Sequence, residues 1–171
     1  ILAASVRYSI PEWMLLQWSR DYGEQKAKSV AAAFLKKERT CVRVNRMKTT
    51  PEALIQALKR QGIAAERVVF SEFPKLDYAL YLSGYDYLAK IPEFADGQFT
   101  VQDLSSMLVT HIAAPKKGDY VIDVCGAPGG KSLHAAELLL GEGFVEARDL
   151  TDYKVSLIEE NIKRSGLKQI C

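Results

Sequence analysis

The 171 residues are 48% hydrophobic and 26% charged, with a formal net charge of +2, a composition that excludes a disordered chain. Apolar runs such as Ala31–Leu35 and Leu138–Leu140 are far too short to cross a bilayer. Three scattered cysteines, Cys41, Cys125 and Cys171, make neither a disulfide framework nor a zinc site. With no leader-like opening, these features predict a cytoplasmic protein with no membrane partner and no metal. The start at Ile1 and the stop soon after Ser165-Gly166 add the expectation of a piece cut from a longer chain.

In chain order, Ser9 is expected to cap a helix that starts at Pro11-Glu12 and carries Trp13, Leu15, Leu16 and Trp18. Gly23 breaks it, and a second helix follows from Glu24 to Lys37. Thr40–Asn45 alternates polar and apolar residues, the pattern of a half-buried strand. Thr50 and Pro51 then read as cap and first turn of a helix that ends at Gly62. Ala65–Phe70 and Ala79–Leu82 read as short strands, and Tyr87–Ile91 as a third. The fold predicted up to this point is a helical lead-in over 1–37 and a small α+β, RRM-like domain over 38–97.

A second part is expected over 98–171. Phe99–Asp103 is extended, and Asp103 or Ser105 caps a helix through Met107 and Ile112. Tyr120–Cys125 is continuous and β-branched, which predicts a strand buried on both faces. A Gly-rich turn, a helix over Lys131–Leu140, a strand over Phe144–Leu150 and a helix over Tyr153–Arg164 complete a βαβα unit. This is the opening half of a doubly wound α/β, Rossmann-like sheet.

Charge is uneven along the chain. Residues 1–97 carry 15 Lys/Arg against 11 Asp/Glu, whereas residues 98–171 carry 8 against 10. Residues 26–48 alone hold Lys26, Lys28, Lys36, Lys37, Arg39, Arg43, Arg46 and Lys48 against Glu38. Such a cluster suits a phosphate backbone, or is a solvated helix face. The aromatics Phe70, Phe73, Tyr78, Tyr81, Tyr85 and Tyr87 either stack on unpaired bases or fill a small core.

The chemistry-bearing motif is Asp123-Val124-Cys125-Gly126-Ala127-Pro128-Gly129-Gly130-Lys131-Ser132, between the strong strand and a helix. Its glycines let a ligand approach the backbone N–H groups at a helix N-terminus. A phosphate-binding P-loop requires Gly five positions before Gly130-Lys131, where Cys125 stands. The dinucleotide pattern fails as well, because Pro128 replaces its second Gly. Asp149 lies 18 residues past Lys131, at the end of the next strand. An acid there binds ribose hydroxyls in doubly wound folds, or is a strand-end surface residue. A Gly-rich turn, a ribose carboxylate and no phosphate-length loop fit S-adenosylmethionine (SAM).

This loop resembles the SAM-binding loop of the Sun/Fmu-type RNA cytosine-C5 methyltransferases. Val101-Gln102-Asp103-Leu104-Ser105-Ser106 resembles that family's stretch just upstream, and Val42-Arg43-Val44-Asn45 a strand of its small pre-catalytic domain. Tyr8-Ser9-Ile10-Pro11-Glu12-Trp13 is similar to the lead-in of the bacterial 16S rRNA branch. The resemblance implies rRNA as partner, SAM as cofactor, and cofactor contacts at Cys125, Gly126, Ala127, Pro128, Gly129, Gly130, Lys131 and Asp149. It also implies a reaction in which a cysteine thiolate adds to C6 of cytosine and C5 takes the methyl group. Loss of the C5 proton then lets the thiolate leave.

The cysteines that do this sit in Pro-Cys and Thr-Cys motifs on later strands of the family. Cys41 follows Thr40 but lies far upstream of the loop, so no catalytic residue is assigned here, and the chain alone is expected to be inactive. Gln102, Asp103 and Ser106 are expected to brace the pocket, while His111 and His134 read as structural or surface residues. A non-catalytic RNA-binding module is the alternative.

Overall fold

The computed structural model describes residues 2–35 and 39–171, which form two compact units divided between Glu38 and Arg39. The first unit is helical: α1 (Leu2–Tyr8), α2 (Glu12–Tyr22) and α3 (Glu24–Ala33). Ser9 does not cap α2; it turns the chain out of α1 with φ 53°, and Pro11 occupies the cap position. Gly23, at φ 83°, ends α2 and starts α3, as its freedom of conformation allows. α3 stops at Ala33, short of the expected Lys37, and Phe34 stacks on Trp18 with ring centroids 6.1 Å apart.

The second unit opens with a four-stranded antiparallel sheet in the order β2-β3-β1-β4. Its strands are β1 (Thr40–Val44), β2 (Ala64–Arg67), β3 (Ala79–Ser83) and β4 (Phe99–Val101). β1 lies at the centre, with Val42 opposite Leu80 on one side and Val101 on the other. Helix α4 (Pro51–Arg60) starts where expected: Thr50 accepts from the Ala53 N–H at 3.2 Å and Pro51 fills the first turn. It buries Leu54 and Leu58 in a core with Val42, Val44, Leu80 and Phe99. This β-α-β-β order with a returning fourth strand is ferredoxin-like.

Residues expected as a strand over Tyr87–Ile91 instead form a 3-10 turn, Leu88–Lys90, before the short helix α5 (Pro92–Ala95). β4 belongs to this antiparallel sheet, so the sheet runs past residue 97 into the stretch expected to open the second part. Tyr78 is buried, and Phe73, Tyr81 and Tyr85 pack against the core. These four aromatics are core residues rather than stacking platforms, whereas Tyr87 is exposed.

Helix α6 (Leu104–Ala113) leads to the parallel pair β5 (Tyr120–Asp123) and β6 (Phe144–Ala147), joined through α7 (Gly130–Leu138). Helix α8 (Asp152–Ser165) is capped by Thr151 and closed by Gly166 at φ 74°. The chain then returns so that Ile170 bridges Val145 in parallel. β5 is not buried on both faces. Val121 packs towards α7 with Leu133 and Ala136, but Tyr120 and Ile122 are 59% and 51% exposed. The reason is that α7 covers one face of the β5–β6 pair, while an open depression borders Tyr120 and Ile122 on the other.

β1 departs from expectation in the opposite sense. Its alternation implied one wet face, yet Arg43 and Asn45 are both 1% exposed. Asn45 Nδ2 donates to the Gly97 and Ser165 carbonyls, and Arg43 reaches α7. The polar face of β1 is therefore the seam between the antiparallel sheet and the βαβα unit.

Candidate functional site

The loop between β5 and α7 is tied at every turn. The Asp123 carboxylate, at the end of β5, accepts from Ser132 Oγ at 2.6 Å and from the Cys125 N–H at 3.3 Å. The Gly126 N–H donates to the Arg148 carbonyl beyond β6, and the Gly129 N–H to the Gly126 carbonyl. A Cβ on Gly126 would lie 3.1 Å from Ser132 Oγ, a tight contact at that corner. Gly129 caps α7 at φ 105°, a conformation that favours glycine. The Ala127–Pro128 peptide is cis, and Asn161 Nδ2 of α8 holds the Pro128 carbonyl at 2.9 Å.

These turns shape a cavity of about 260 Å³, lined by Cys125, Gly126, Ala127, Pro128, Gly130 and Lys131 of the expected set. Gln102, Asp103 and Ser106 from the start of α6 form the facing wall. Gly129 lies behind the loop, against Leu133 and Ile158. Asp149 is also off the cavity wall: its carboxylate accepts from the Ala127 N–H at 3.0 Å and the Leu150 N–H at 2.7 Å. Lys154 Nζ pairs with it at 3.0 Å, and the Asp149 side chain is 2% exposed. Those two backbone N–H groups, with Lys154, hold the carboxyl below the usual range, so it is ionised at neutral pH. Asp149 thus buttresses the loop from outside while keeping the acceptor capacity of a carboxylate.

A second depression, of about 440 Å³, runs along the open side of β5 past Tyr120, Ile122 and Val124. It shares Asp123 and Lys131 with the loop cavity.

Sequence reasoning missed what stands behind the loop. The Arg43 guanidinium grips Glu137 of α7, with Nε to Oε2 at 3.2 Å and Nη2 to Oε1 at 2.8 Å. Its Nη1 donates to Gln102 Oε1 and, at 2.9 Å, to the Gly130 carbonyl. Burial pushes the Glu137 carboxyl up, against the pull of Arg43. One helical turn earlier, His134 Nε2 meets the Tyr78 hydroxyl at 2.8 Å. Burial, with Arg43 and Arg46 nearby, lowers His134 to about 2, so the imidazole is neutral. The available signal was an arginine between two core valines on a strand.

Arg43 is therefore withdrawn from the expected phosphate-facing cluster. The other described cations of that segment are divided between the two units. Lys28 pairs with Glu24 in the first; in the second, Arg39 pairs with Glu66 and Arg46 lies over the Tyr78 ring. Lys48 Nζ donates to the Asp96 and Arg164 carbonyls. Arg39 and Arg46 keep about half of their side-chain surface in solvent. Lys36, Lys37 and Glu38 lie outside the described residues.

The three cysteines lie in different settings. Cys41 is buried, and burial pushes its thiol up to about 11. Cys125 is exposed on the loop, and Cys171 is exposed at the chain end. Among the described residues, no group of three or more His, Cys, Asp or Glu side chains is placed to hold a metal ion. No described helix is long and apolar enough to cross a membrane.

A ferredoxin-like antiparallel sheet sealed onto a parallel β-α-β-α unit, with a glycine-rich first turn, defines an α/β protein of the Rossmann-like methyltransferase class. Two family profiles match in succession. The RsmF/B-like methyltransferase ferredoxin-like domain covers residues 10–82, and the 16S rRNA methyltransferase RsmB/F family covers residues 110–171. The chain belongs to the RsmB/F family of 16S rRNA methyltransferases.

It is 37% identical over 159 residues to the probable ribosomal RNA small subunit methyltransferase B of Bacillus subtilis (strain 168), covering 93% of this chain and 34% of that protein. It is 32% identical over 168 residues to the ribosomal RNA small subunit methyltransferase B of Escherichia coli O139:H28, covering 97% and 37%. The chain thus spans about a third of the length of these relatives.

Among solved structures, a methyltransferase homologue from Pyrococcus horikoshii superposes with a TM-score of 0.77 at 26% identity, covering 99% of this chain and 54% of that one. NSun6 from Pyrococcus horikoshii, solved with SFG, shares the fold with a TM-score of 0.82 at 21% identity, covering 94% and 64%.

Proposed function

We propose that this chain supplies the RNA-binding and cofactor-loop portions of a SAM-dependent enzyme that methylates cytosine C5 in ribosomal RNA of the small subunit, in the cytoplasm. The observation that carries the cofactor assignment is the loop cavity. It sits at the N-terminus of α7, is walled by Cys125–Pro128, Gly130 and Lys131, and has an ionised Asp149 fixed against the Ala127 N–H. A nucleoside without phosphates suits it, because the turn is tied down by Asp123, Ser132 and Gly126 and is shorter than a phosphate-cradling loop.

Cys125–Pro128, Gly130 and Lys131 would hold SAM, with Gly129 and Asp149 fixing the loop's shape; SAM supplies the methyl group. The likeness to the small-subunit rRNA methyltransferases of Bacillus subtilis and Escherichia coli supports the small-subunit rRNA target. The half-exposed Arg39 and Arg46 of the antiparallel domain are the cations we assign to the RNA backbone. Cys41, Cys125 and Cys171 have no part in the covalent step, so the 171-residue chain binds cofactor without transferring methyl groups.

Calorimetric titration of the protein with S-adenosylhomocysteine and, separately, with ATP and magnesium tests this. Saturable binding of the adenosyl ligand with no binding of ATP is expected. The reverse pattern would overturn the cofactor assignment, and RNA binding without either ligand would leave a bare RNA-binding module.

A further inference from the structure

Gln102 is 6% exposed, and its side-chain Nε2 has no hydrogen-bond partner among the described residues. A buried amide N–H left unpaired is costly unless something completes it. The orientation of the amide is not free. A guanidinium only donates, so the contact from Arg43 Nη1 fixes the carbonyl end, Oε1, towards Arg43. Arg43 is itself fixed by Glu137 and the Gly130 carbonyl. The N–H end must then face elsewhere. It borders Gly130: a Cβ built there would lie 3.8 Å from Nε2. Gly130 has no positive φ, so its backbone conformation does not call for glycine. Gly130 and Gln102 both line the loop cavity, so the buried amide lies at its wall.

Among the described residues, Lys131 is the one cation on the wall of that cavity. Asp103 and Asp123 on the same wall suit an ammonium, while the Lys131 ammonium and the unpaired amide N–H suit an anionic acceptor. The SAM assignment made above, on which this step rests, offers a single one. We propose that Gln102 is a cofactor-binding residue whose amide N–H donates to the carboxylate at the amino-acid end of the S-adenosyl ligand. Arg43 acts through it as a positioning residue. Gln102 is thus more than a brace for the pocket, and it makes the loop discriminate a complete S-adenosyl amino acid from its bare nucleoside.

The test is calorimetric titration of wild type, Gln102→Leu and Gln102→Glu with S-adenosylhomocysteine and with 5′-methylthioadenosine, which keeps the nucleoside and lacks the amino acid. Losing a hydrogen bond to a charged group should weaken S-adenosylhomocysteine about tenfold or more in Gln102→Leu, and further in Gln102→Glu. Methylthioadenosine should change by less than about twofold on the same scale. Gln102→Glu keeps the size of the side chain and an acceptor for Arg43, so it covers the case in which the leucine variant fails to fold. Equal losses for both ligands would overturn the proposal, since a residue that merely props the loop serves both; so would no loss for either. Wild type binding neither ligand would refute the cofactor assignment itself, a result distinct from a wild type that binds both beside variants that fail to discriminate.

Discussion

Arg43 and Glu137 form a buried ion pair whose side chains are 0% and 7% exposed. Arg43→Met keeps the length and apolar stem but leaves the Glu137 carboxylate without its cation, and also removes the donors to Gln102 and the Gly130 carbonyl. Breaking such a pair from one side costs about 3–5 kcal/mol, whereas replacing both members with well-packed apolar groups is often neutral or better. Against a total stability of about 5–15 kcal/mol, Arg43→Met should lie near unfolding at neutral pH. The double variant Arg43→Met/Glu137→Met should recover most of the loss.

The single variant should also depend on pH in a particular direction. Burial already raises the Glu137 carboxyl in the folded state, and removing Arg43 raises it further. A folded pKa above the unfolded one stabilises at low pH and is lost as pH rises through it. Arg43→Met should therefore be least impaired near pH 4.5, the ordinary carboxyl value. Urea titrations followed by circular dichroism, with the slope held constant across variants, measure all of this. A single variant costing under about 1 kcal/mol, in the range of surface pairs, would refute the reasoning, as would a double variant no better than the single.

Three further outcomes are expected. His134 stays neutral when folded, at about 2 against 6.5 when unfolded; its contribution is present above 6.5 and is lost as pH falls. The unfolded state then binds the extra proton, so stability should drop by about 2 kcal/mol between pH 7.5 and 5; His134→Gln should remove that part of the slope in thermal melts. At Gly97, with φ 68°, a Cβ would lie 2.1 Å from the Arg164 carbonyl oxygen, so Gly97→Ala should cost more than about 3 kcal/mol in urea titration by pushing α8 off the antiparallel sheet. Asp149→Asn replaces one acceptor oxygen by a donor facing the Ala127 or Leu150 N–H; it should weaken S-adenosylhomocysteine about tenfold by calorimetry, and an unchanged affinity would remove Asp149 from the site.

Elements whose signals are local were legible in the sequence. Thr50-Pro51 and Gly166 mark helix ends through their own backbone chemistry, and the structure places caps there, while Gly62 follows the Gln61 cap of α4 at φ 77°. The loop was legible for the same reason, since Asp123 to Ser132 needs only its own turns and the adjacent strand end. Besides local misreadings at Ser9 and Tyr87–Ile91, two errors fall where burial is decided at a distance. Period two in Thr40–Asn45 identified the strand but not its surroundings, because a polar face looks the same whether water or Glu137 and Ser165 receive it. Tyr120–Cys125 misled in the other direction: its apolar residues specify a strand, but whether Ile122 is covered depends on a neighbour that the strand's own sequence does not encode.

Both errors meet at α7. Residues Ser132 to Glu137 are all buried, which is unusual for a helix that would cover one side of a two-stranded sheet. Leu133 and Ala136 face Val145 and the parallel strands, and His134 and Glu137 face Tyr78 and Arg43 of the antiparallel sheet. One helix is therefore core to both layers, and its first turn carries the candidate ligand loop. Removing residues 39–97 would strip Glu137 and His134 of their partners and free Gln102 from Arg43, leaving two polar side chains exposed along the helix that begins the loop. The antiparallel domain is thus part of the loop's structural support. A βαβα unit excised without it should lose the geometry of the cavity before it loses its own apolar core.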